Sequence, residues 1–290
     1  MELFHEKERY LQEILGSNIN HKVAEKIITN QIDERASRFI QSLNYAFMSY
    51  RDKNGFPQVL PLSGDDMIRV PSPSIILINL EPQSQMIENF DVDIKAIHKV
   101  GLLFIDLLSR RRLRVNGIVK QHNAVLEMEV EQAYVNCPKY IQSRTLEFHF
   151  TNSKKILRGD ALTADQTTLI ENADTFFLGT SNANGDMDAS HRGGNKGFVK
   201  VDNNVLLVPD YKGNGLYNSL GNILDYSKVG LLFFDFENAE MLQVKGKATL
   251  IFNEDKSKVT HWELSVEDWV HYYEMLEMQS LFFDSSVYNY

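Results

Sequence analysis

Apolar and polar residues alternate with period two through much of the chain, and the same alternation occurs twice. Leu113, Val115 and Gly117 alternate with Arg112, Arg114 and Asn116, which predicts a strand with one buried and one polar face. Leu242, Val244 and Gly246 repeat the pattern against Gln243, Lys245 and Lys247. Leu126, Met128 and Val130 alternate with three glutamates in a further strand. Residues 47–50 and 176–180 read as short apolar strands, each followed by an Asn-Gly turn that suits a hairpin. Helical spacing is confined to about 86–98, about 216–226 and the first 38 residues, where Ala24, Ile27, Ile28 and Ile32 recur. About six strands and one or two helices per half predict a mainly β (α+β) protein built from small antiparallel barrels behind a helical lead-in.

The two halves are copies. Lys99-Val100-Gly101-Leu102-Leu103-Phe104-Ile105-Asp106 returns as Lys228-Val229-Gly230-Leu231-Leu232-Phe233-Phe234-Asp235, displaced by 129. Asn54-Gly55 matches Asn184-Gly185 at 130, and Leu113-x-Val115-x-Gly117 matches Leu242-x-Val244-x-Gly246 at 129. Such a period is too long for a solenoid and predicts a duplicated domain. The division expected is a helical extension over 1–38, one barrel over 39–150 and a second over 151–290.

Candidate chemistry concentrates in the second copy. Asp188-Ala189-Ser190-His191-Arg192-Gly193-Gly194 and Asp210-Tyr211-Lys212-Gly213-Asn214-Gly215, running on to Asn218-Ser219-Leu220-Gly221-Asn222, each combine glycines, small donors and cations. That mixture suits a phosphate, because glycine lets backbone N–H groups approach and arginine supplies a charged fork. The run 205–208 and Pro209 lie between them, so both clusters are expected at strand ends. Gly213-x-Gly215-x-x-Asn218 is not a dinucleotide fingerprint: its third glycine is missing and no train of parallel strands and helices surrounds it. Ser190-His191 is no hydrolase pair, since neighbours on a strand point to opposite faces.

Composition narrows the classes. A formal charge of −9 argues against a general nucleic-acid binder. The single Cys137 excludes an internal disulfide and lacks a motif partner, and with an N-terminus unlike a signal peptide it predicts a cytoplasmic protein. Apolar runs such as Ile75-Ile76-Leu77-Ile78 are far below a membrane span. The histidines show no metal-ligand spacing, so no metal is expected.

The run Ser190-His191-Arg192-Gly193-Gly194, the turn Pro209-Asp210-Tyr211-x-Gly213-Asn214, Leu220-Gly221-Asn222 and Gly230-Leu231-Leu232-Phe233 resemble the pyridoxamine 5′-phosphate oxidase-related, flavin-nucleotide-binding family. Its long two-repeat members are also similar in the Phe4-His5-Glu6-x-Glu8 opening, the strand through Arg110 to Gly117, and Asn136-Cys137-Pro138-Lys139-Tyr140-Ile141-Gln142. The resemblance implies tandem split β-barrels with FMN at the seam between them. It implies an FMN-dependent oxidoreductase taking electrons from NAD(P)H or another small reductant, with a flavin carrier or sensor, or a haem-binding or haem-degrading protein, as the alternatives. It implies a small-molecule substrate without naming one, and leaves open whether the pseudo-dimer pairs again as a homodimer.

On this reading Arg192 takes the phosphate, with Ser190, His191 and the amides of Gly193 and Gly194 beside it. Gly213, Asn214, Asn218 and Ser219 hold phosphate or ribityl hydroxyls near a helix N-terminus. Lys139 and Arg144 reach across the seam toward the flavin's pyrimidine end, with a solvated surface lysine as the alternative for Lys139. Arg110, Arg111, Arg112 and Arg114 read either as a phosphate patch or as a hairpin face paired with carboxylates. The first copy lacks the cationic cluster, reading Gln58-Val59-Leu60-Pro61-Leu62-Ser63-Gly64, so one composite site per chain is expected.

Overall fold

The computed structural model describes residues 3–17, 19, 21–150, 155–273 and 276–288. The lead-in is helical but broken into α1 (Glu6–Ile14), α2 (His21–Ile27) and α3 (Glu34–Gln41). His5 caps α1 by accepting the Lys7 N–H, and Glu8 accepts the His5 N–H at 2.8 Å. Ala24 and Ile28 are buried with Phe4, Tyr134 and Leu216, whereas Ile32 lies past α2 and joins the core of the first barrel.

The first copy runs β1 (Tyr45–Arg51), β2 (Pro57–Ser63), β3 (Ile68–Ser72), β4 (Ile75–Asn79), α4 (Ser84–Asn89), β5 (Lys99–Asp106), β6 (Arg111–His122) and β7 (Val125–Val135), then β8 (Ser143–Phe150). The second runs β9 (Lys155–Gly159), α5 (Ala164–Asn172), β10 (Thr175–Ser181), β11 (Met187–Gly193), β12 (Lys200–Asp202), β13 (Val205–Pro209), α6 (Asn218–Asp225), β14 (Lys228–Asp235), β15 (Glu240–Phe252), β16 (Val259–Tyr273) and β17 (Leu276–Asp284). The strand orders are β2-β1-β5-β6-β7-β4-β3 and β11-β10-β14-β15-β16-β13-β12, so each copy repeats the other strand for strand. β9 adds to β16, and β8 pairs with β17 in a separate ribbon that ties the middle of the chain to its end. Pro57 and Pro61 sit in β2 because it is the edge of its sheet, where a missing N–H costs no ladder bond.

Three local expectations change. Each sheet carries seven strands in its main path rather than about six. Residues 86–98 are not one helix: Asp91, at φ 52°, ends α4, and only a 3-10 turn, Ile94–Ala96, follows. The second helix starts at Asn218 rather than 216, because Tyr217 is left-handed (φ 60°) and Asn214 Oδ1 holds the Leu216 N–H at 3.1 Å.

The barrels share a seam, not a linker. Phe47 of β1 stacks on Phe177 of β10, with Phe234 edge-on to both, inside one core drawn from both copies. The repeated Lys-Val-Gly motif has a structural reason here. A Cβ on Gly101 would lie 2.7–2.8 Å from the backbone of Asp188 and Ala189, and one on Gly230 would lie 2.0 Å from the Pro57 carbonyl. β5 therefore backs onto β11 as β14 backs onto β2, the reciprocity of a twofold interface formed within one chain.

Candidate functional site

The first glycine–cation cluster is not a loop at a strand end but strand β11 itself, whose register pairs Phe176 with Arg192 and Phe177 with His191. Strand alternation sets successive side chains on opposite faces, and β11 lies against β5 and β6 of the other copy. Its polar residues therefore meet Arg112 and Arg114 of β6 across the seam. The second cluster is the loop from β13 to α6, as expected.

At the floor, Asp188 is 2% exposed and bound by three groups: Arg114 Nη1 at 3.1 Å, the Tyr134 hydroxyl at 3.0 Å and Ser219 Oγ at 3.1 Å. Burial works against the Arg114 charge, but Asp188 and Tyr134 together more than offset it and the arginine is held above its ordinary range. Ser190, fully buried, lies 3.2 Å from Ser219 Oγ, so both serines belong to this floor.

Above it the charges do not balance. Arg112 Nε donates to the Cys137 carbonyl at 3.0 Å, and its Nη1 lies 3.3 Å from both the His191 carbonyl and His191 Nδ1. No carboxylate pairs with Arg112 among the described residues, and burial lowers its pKa to about 10. Burial first, and then the surrounding arginines, push His191 well below its ordinary range, so the ring is neutral. Arginine can only donate, which makes Nδ1 the acceptor and places the ring proton on Nε2. That Nε2–H has no acceptor, and neither does Arg192 Nε. Arg192 reaches Asp210 only at 3.5 Å, and burial lowers the arginine's pKa while raising that of Asp210. Lys139 lines the same cleft with its ammonium 5.2 Å from the Tyr288 ring centroid. Four cations (Arg112, Arg114, Lys139, Arg192) thus face two carboxylates (Asp188, Asp210), and a buried excess of positive charge is costly without an anion.

The remaining expected residues are distributed as follows. Gly193 lines the cleft, and a Cβ there would meet the Tyr140 carbonyl at 2.1 Å. Gly213, Asn214, Asn218 and Ser219 also line it. The Asn218 amide, however, donates to Glu8 at 2.7 Å, which docks α1 on α6. Gly194 and Arg144 lie elsewhere: the Gly194 carbonyl accepts from Gln142 at 2.9 Å, and Arg144 is buried against Asp174, both on a separate cavity. The alternatives for the arginine strand divide by residue. Arg110 pairs with Asp284, Arg111 covers the Phe39 ring, Arg114 pairs across the seam, and Arg112 remains without a carboxylate. Tyr134 lies in no motif of the sequence, and Asp188 and Glu8, though inside the quoted motifs, carry no expected role, because the partners that define them come from distant parts of the chain.

The cleft measures about 90 Å³ and is narrowed by Tyr140 and Tyr211, whose rings stack with centroids 5.0 Å apart. Pockets for organic ligands are usually roughly 300–1,000 Å³. The unpaired N–H groups and surplus charge fit a phosphate, while a flavin ring requires the tyrosines to part. The equivalent place in the other copy is different: the strand registers set Met241 and Leu62, both fully buried, where this cleft has Arg112 and Arg192. Among the described residues no group of three His, Cys, Asp or Glu is arranged to hold a metal ion, and no helix is long and apolar enough to cross a membrane.

No curated protein matches the chain. Solved structures align with about two fifths of it. HupZ of group A Streptococcus is 15% identical, over 43% of this chain and 98% of that one, with a TM-score of 0.27. A Clostridium acetobutylicum protein related to general stress protein 26, of the pyridoxinephosphate oxidase family, is 12% identical over 41% and 92%, with a TM-score of 0.23. The FAD-binding protein of Mycobacterium smegmatis is 15% identical over 43% and 100%, also at 0.23. The family model for pyridoxamine 5′-phosphate oxidase matches residues 162–283, the span from the entry of α5 to β17 that carries both glycine–cation clusters. The match places the second barrel, residues 162–283, with the pyridoxamine 5′-phosphate oxidase-related split-barrel family.

Proposed function

We propose that the seam cleft binds FMN through its phosphate and that the protein is an FMN-dependent oxidoreductase, with one flavin per chain. The observation that carries this reading is Arg112: a partly buried guanidinium with no carboxylate, beside two N–H groups without acceptors, His191 Nε2 and Arg192 Nε. A phosphate oxygen satisfies each of those donors and neutralises the surplus charge at once. Arg112 comes from the first copy and His191 and Arg192 from the second, so the site is composite. Neutral His191 acts as a fixed donor, oriented by the Arg112 contact at Nδ1. Lys139 lies at the edge of the cleft, where its charge favours an electron-rich flavin end. Bound flavin would supply hydride and electron transfer, and NAD(P)H is the reductant to try first.

Titration of the full chain with FMN and riboflavin, followed by flavin fluorescence, tests the phosphate assignment. FMN is expected to bind at least roughly tenfold more tightly, the worth of one charge-assisted bond. Equal affinities refute it, and a stoichiometry of two flavins per chain refutes the single composite site. Bleaching of bound flavin by NAD(P)H separates an oxidoreductase from a carrier, while a Soret band in the protein as purified would replace this reading with haem.

A further inference from the structure

A second and larger cavity, about 900 Å³, lies beyond the wall made by residues 140–144 and the end of β11. Tyr140 and Gly193 line the seam cleft, whereas Gln142 and Gly194 line this cavity, so the two spaces are separate. Its volume falls in the range that encloses organic ligands, roughly 300–1,000 Å³. α5, the β14–β15 turn, β16 and the β8–β17 ribbon enclose it, and the lining has two characters.

One is apolar: Leu169, Phe234, Phe236, Tyr273 and Phe282. The other is acidic. Asp165, Asp174, Asp235, Glu237 and Glu240 face only two fixed cations, Arg144 and Lys196. Lys196 pairs with Glu237 at 3.0 Å and Arg144 with Asp174. Glu240 lies 3.1 Å from His271, which burial keeps neutral with a pKa of about 4. Among the described residues no cation pairs with Asp165 or Asp235. The pair at the back is itself incomplete. The Arg144 side chain is 5% exposed, yet its Nε has no acceptor and Asp174 Oδ1 has no donor. The rings already hold one cation, since the Arg144 guanidinium sits 4.0 Å from the Phe236 ring centroid and 5.7 Å from that of Phe282.

We propose that this cavity binds a primary amine with a ring-bearing, apolar body, its ammonium group toward the carboxylates and its ring among the phenylalanines. The ammonium meets the excess of carboxylates and offers a donor to Asp174, and an acceptor elsewhere on the ligand completes Arg144. Aromatic faces add cation–π attraction to the same end. The inference does not depend on flavin in the seam, because none of the charged groups invoked lines that cleft.

Isothermal titration of the full chain with 2-phenylethylamine, 2-phenylethanol and phenylacetate compares one body with three charges. The amine is expected to bind at least roughly tenfold more tightly than the alcohol, and the acid most weakly. Raising salt should weaken only the amine. Asp165→Asn, on the exposed first turn of α5, and Asp235→Asn, which keeps an oxygen for the Glu237 and Asn238 N–H groups, should each lower amine affinity several-fold without loss of fold. Equal binding of the three probes, amine affinity unchanged in both variants, or no amine binding up to about 10 mM, the scale of a −3 kcal/mol interaction, overturns the proposal.

Discussion

Replacing Arg112 by methionine separates the phosphate reading from a structural one, because the phosphate reading predicts little change without ligand and a loss confined to the phosphorylated flavin. Burial lowers the Arg112 pKa from 12.5 to about 10, so keeping the guanidinium charged in its place costs about 3 kcal/mol. Methionine removes that cost and keeps most of the apolar stem. It also gives up the bonds to the Cys137 and His191 carbonyls and to His191 Nδ1, worth about 1 kcal/mol each. The terms nearly cancel, and the ligand-free variant should melt within a few degrees of the parent or slightly above it. The bound state has no such compensation. Losing a charge-assisted phosphate bond removes about 1.5–3 kcal/mol, a roughly ten- to hundredfold rise in the FMN Kd. Riboflavin, which lacks the phosphate, should bind the variant and the parent alike. The assay is a paired titration of both flavins on both proteins, with melting curves alongside. An equal loss for FMN and riboflavin would show that Arg112 shapes the cleft rather than holding the phosphate, and unchanged FMN affinity would remove it from the site.

Asp210→Asn should tighten FMN several-fold, since Asp210 both occupies Arg192 and repels a phosphate; weaker FMN binding in the same titration would make the aspartate a necessary organiser. Glu8, buried between the His5 N–H and Asn218, has its pKa raised from 4.5 to about 8, chiefly by burial, so it contributes stability below about pH 4.5 that is lost as pH rises through 8. Glu8→Gln keeps acceptor and shape without titrating, and should match the parent near pH 5 but exceed it near pH 9 in thermal melts; parallel pH profiles would refute the assignment. Gly230→Ala places a Cβ 2.0 Å from the Pro57 carbonyl across the seam and should cost about 2–3 kcal/mol by chemical denaturation, whereas a neutral result would mean the barrels part easily.

Much of this architecture was written locally. The Lys-Val-Gly-Leu-Leu-Phe repeat is legible because a buried strand and its close backbone approach impose the same residues twice, and the alternating β6 and β15 patterns mark one buried face each. β2 was not legible as a strand: Pro57 and Pro61 speak against one unless its edge position is known. The break in 86–98 turns on a left-handed Asp91, a residue type that also occurs freely in helices. For the site, glycine, serine and arginine in β11 carry the expectation of an anion, but the sequence could not say which arginine stays without a carboxylate. Four arginines within five positions, Arg110 in the turn and three in β6, have four different partners, because each faces a different part of the folded chain. Arg144 shows the same limit: its charge suggested the seam, and the β8–β17 ribbon carries it to the other cavity.

The asymmetry between the copies follows from the duplication. In a twofold assembly of identical chains both clefts carry the same residues, and a change that ruins one ruins the other. Fusing the copies removes that constraint. Pairing along β1–β2 and β10–β11 sets Pro61 and Leu62 where the second copy has His191 and Arg192. Along β5–β6 and β14–β15, Met241 and Gln243 stand for Arg112 and Arg114. The exchange is coordinated: the three lost arginines and the histidine give way together to uncharged residues, and Asp188 is matched by Gln58, so no charge is stranded. Met241 and Leu62 are fully buried, and Gln243 is bonded by Tyr272 at 2.8 Å and donates to the Val59 carbonyl at 3.3 Å. Every polar group named there has a partner, whereas the cleft that keeps the arginines leaves His191 Nε2 and Arg192 Nε without one. A fold that closes one of two equivalent seams with satisfied neutral groups, and leaves the other with unpaired donors and excess positive charge, has kept in the second alone the groups that an anion would satisfy.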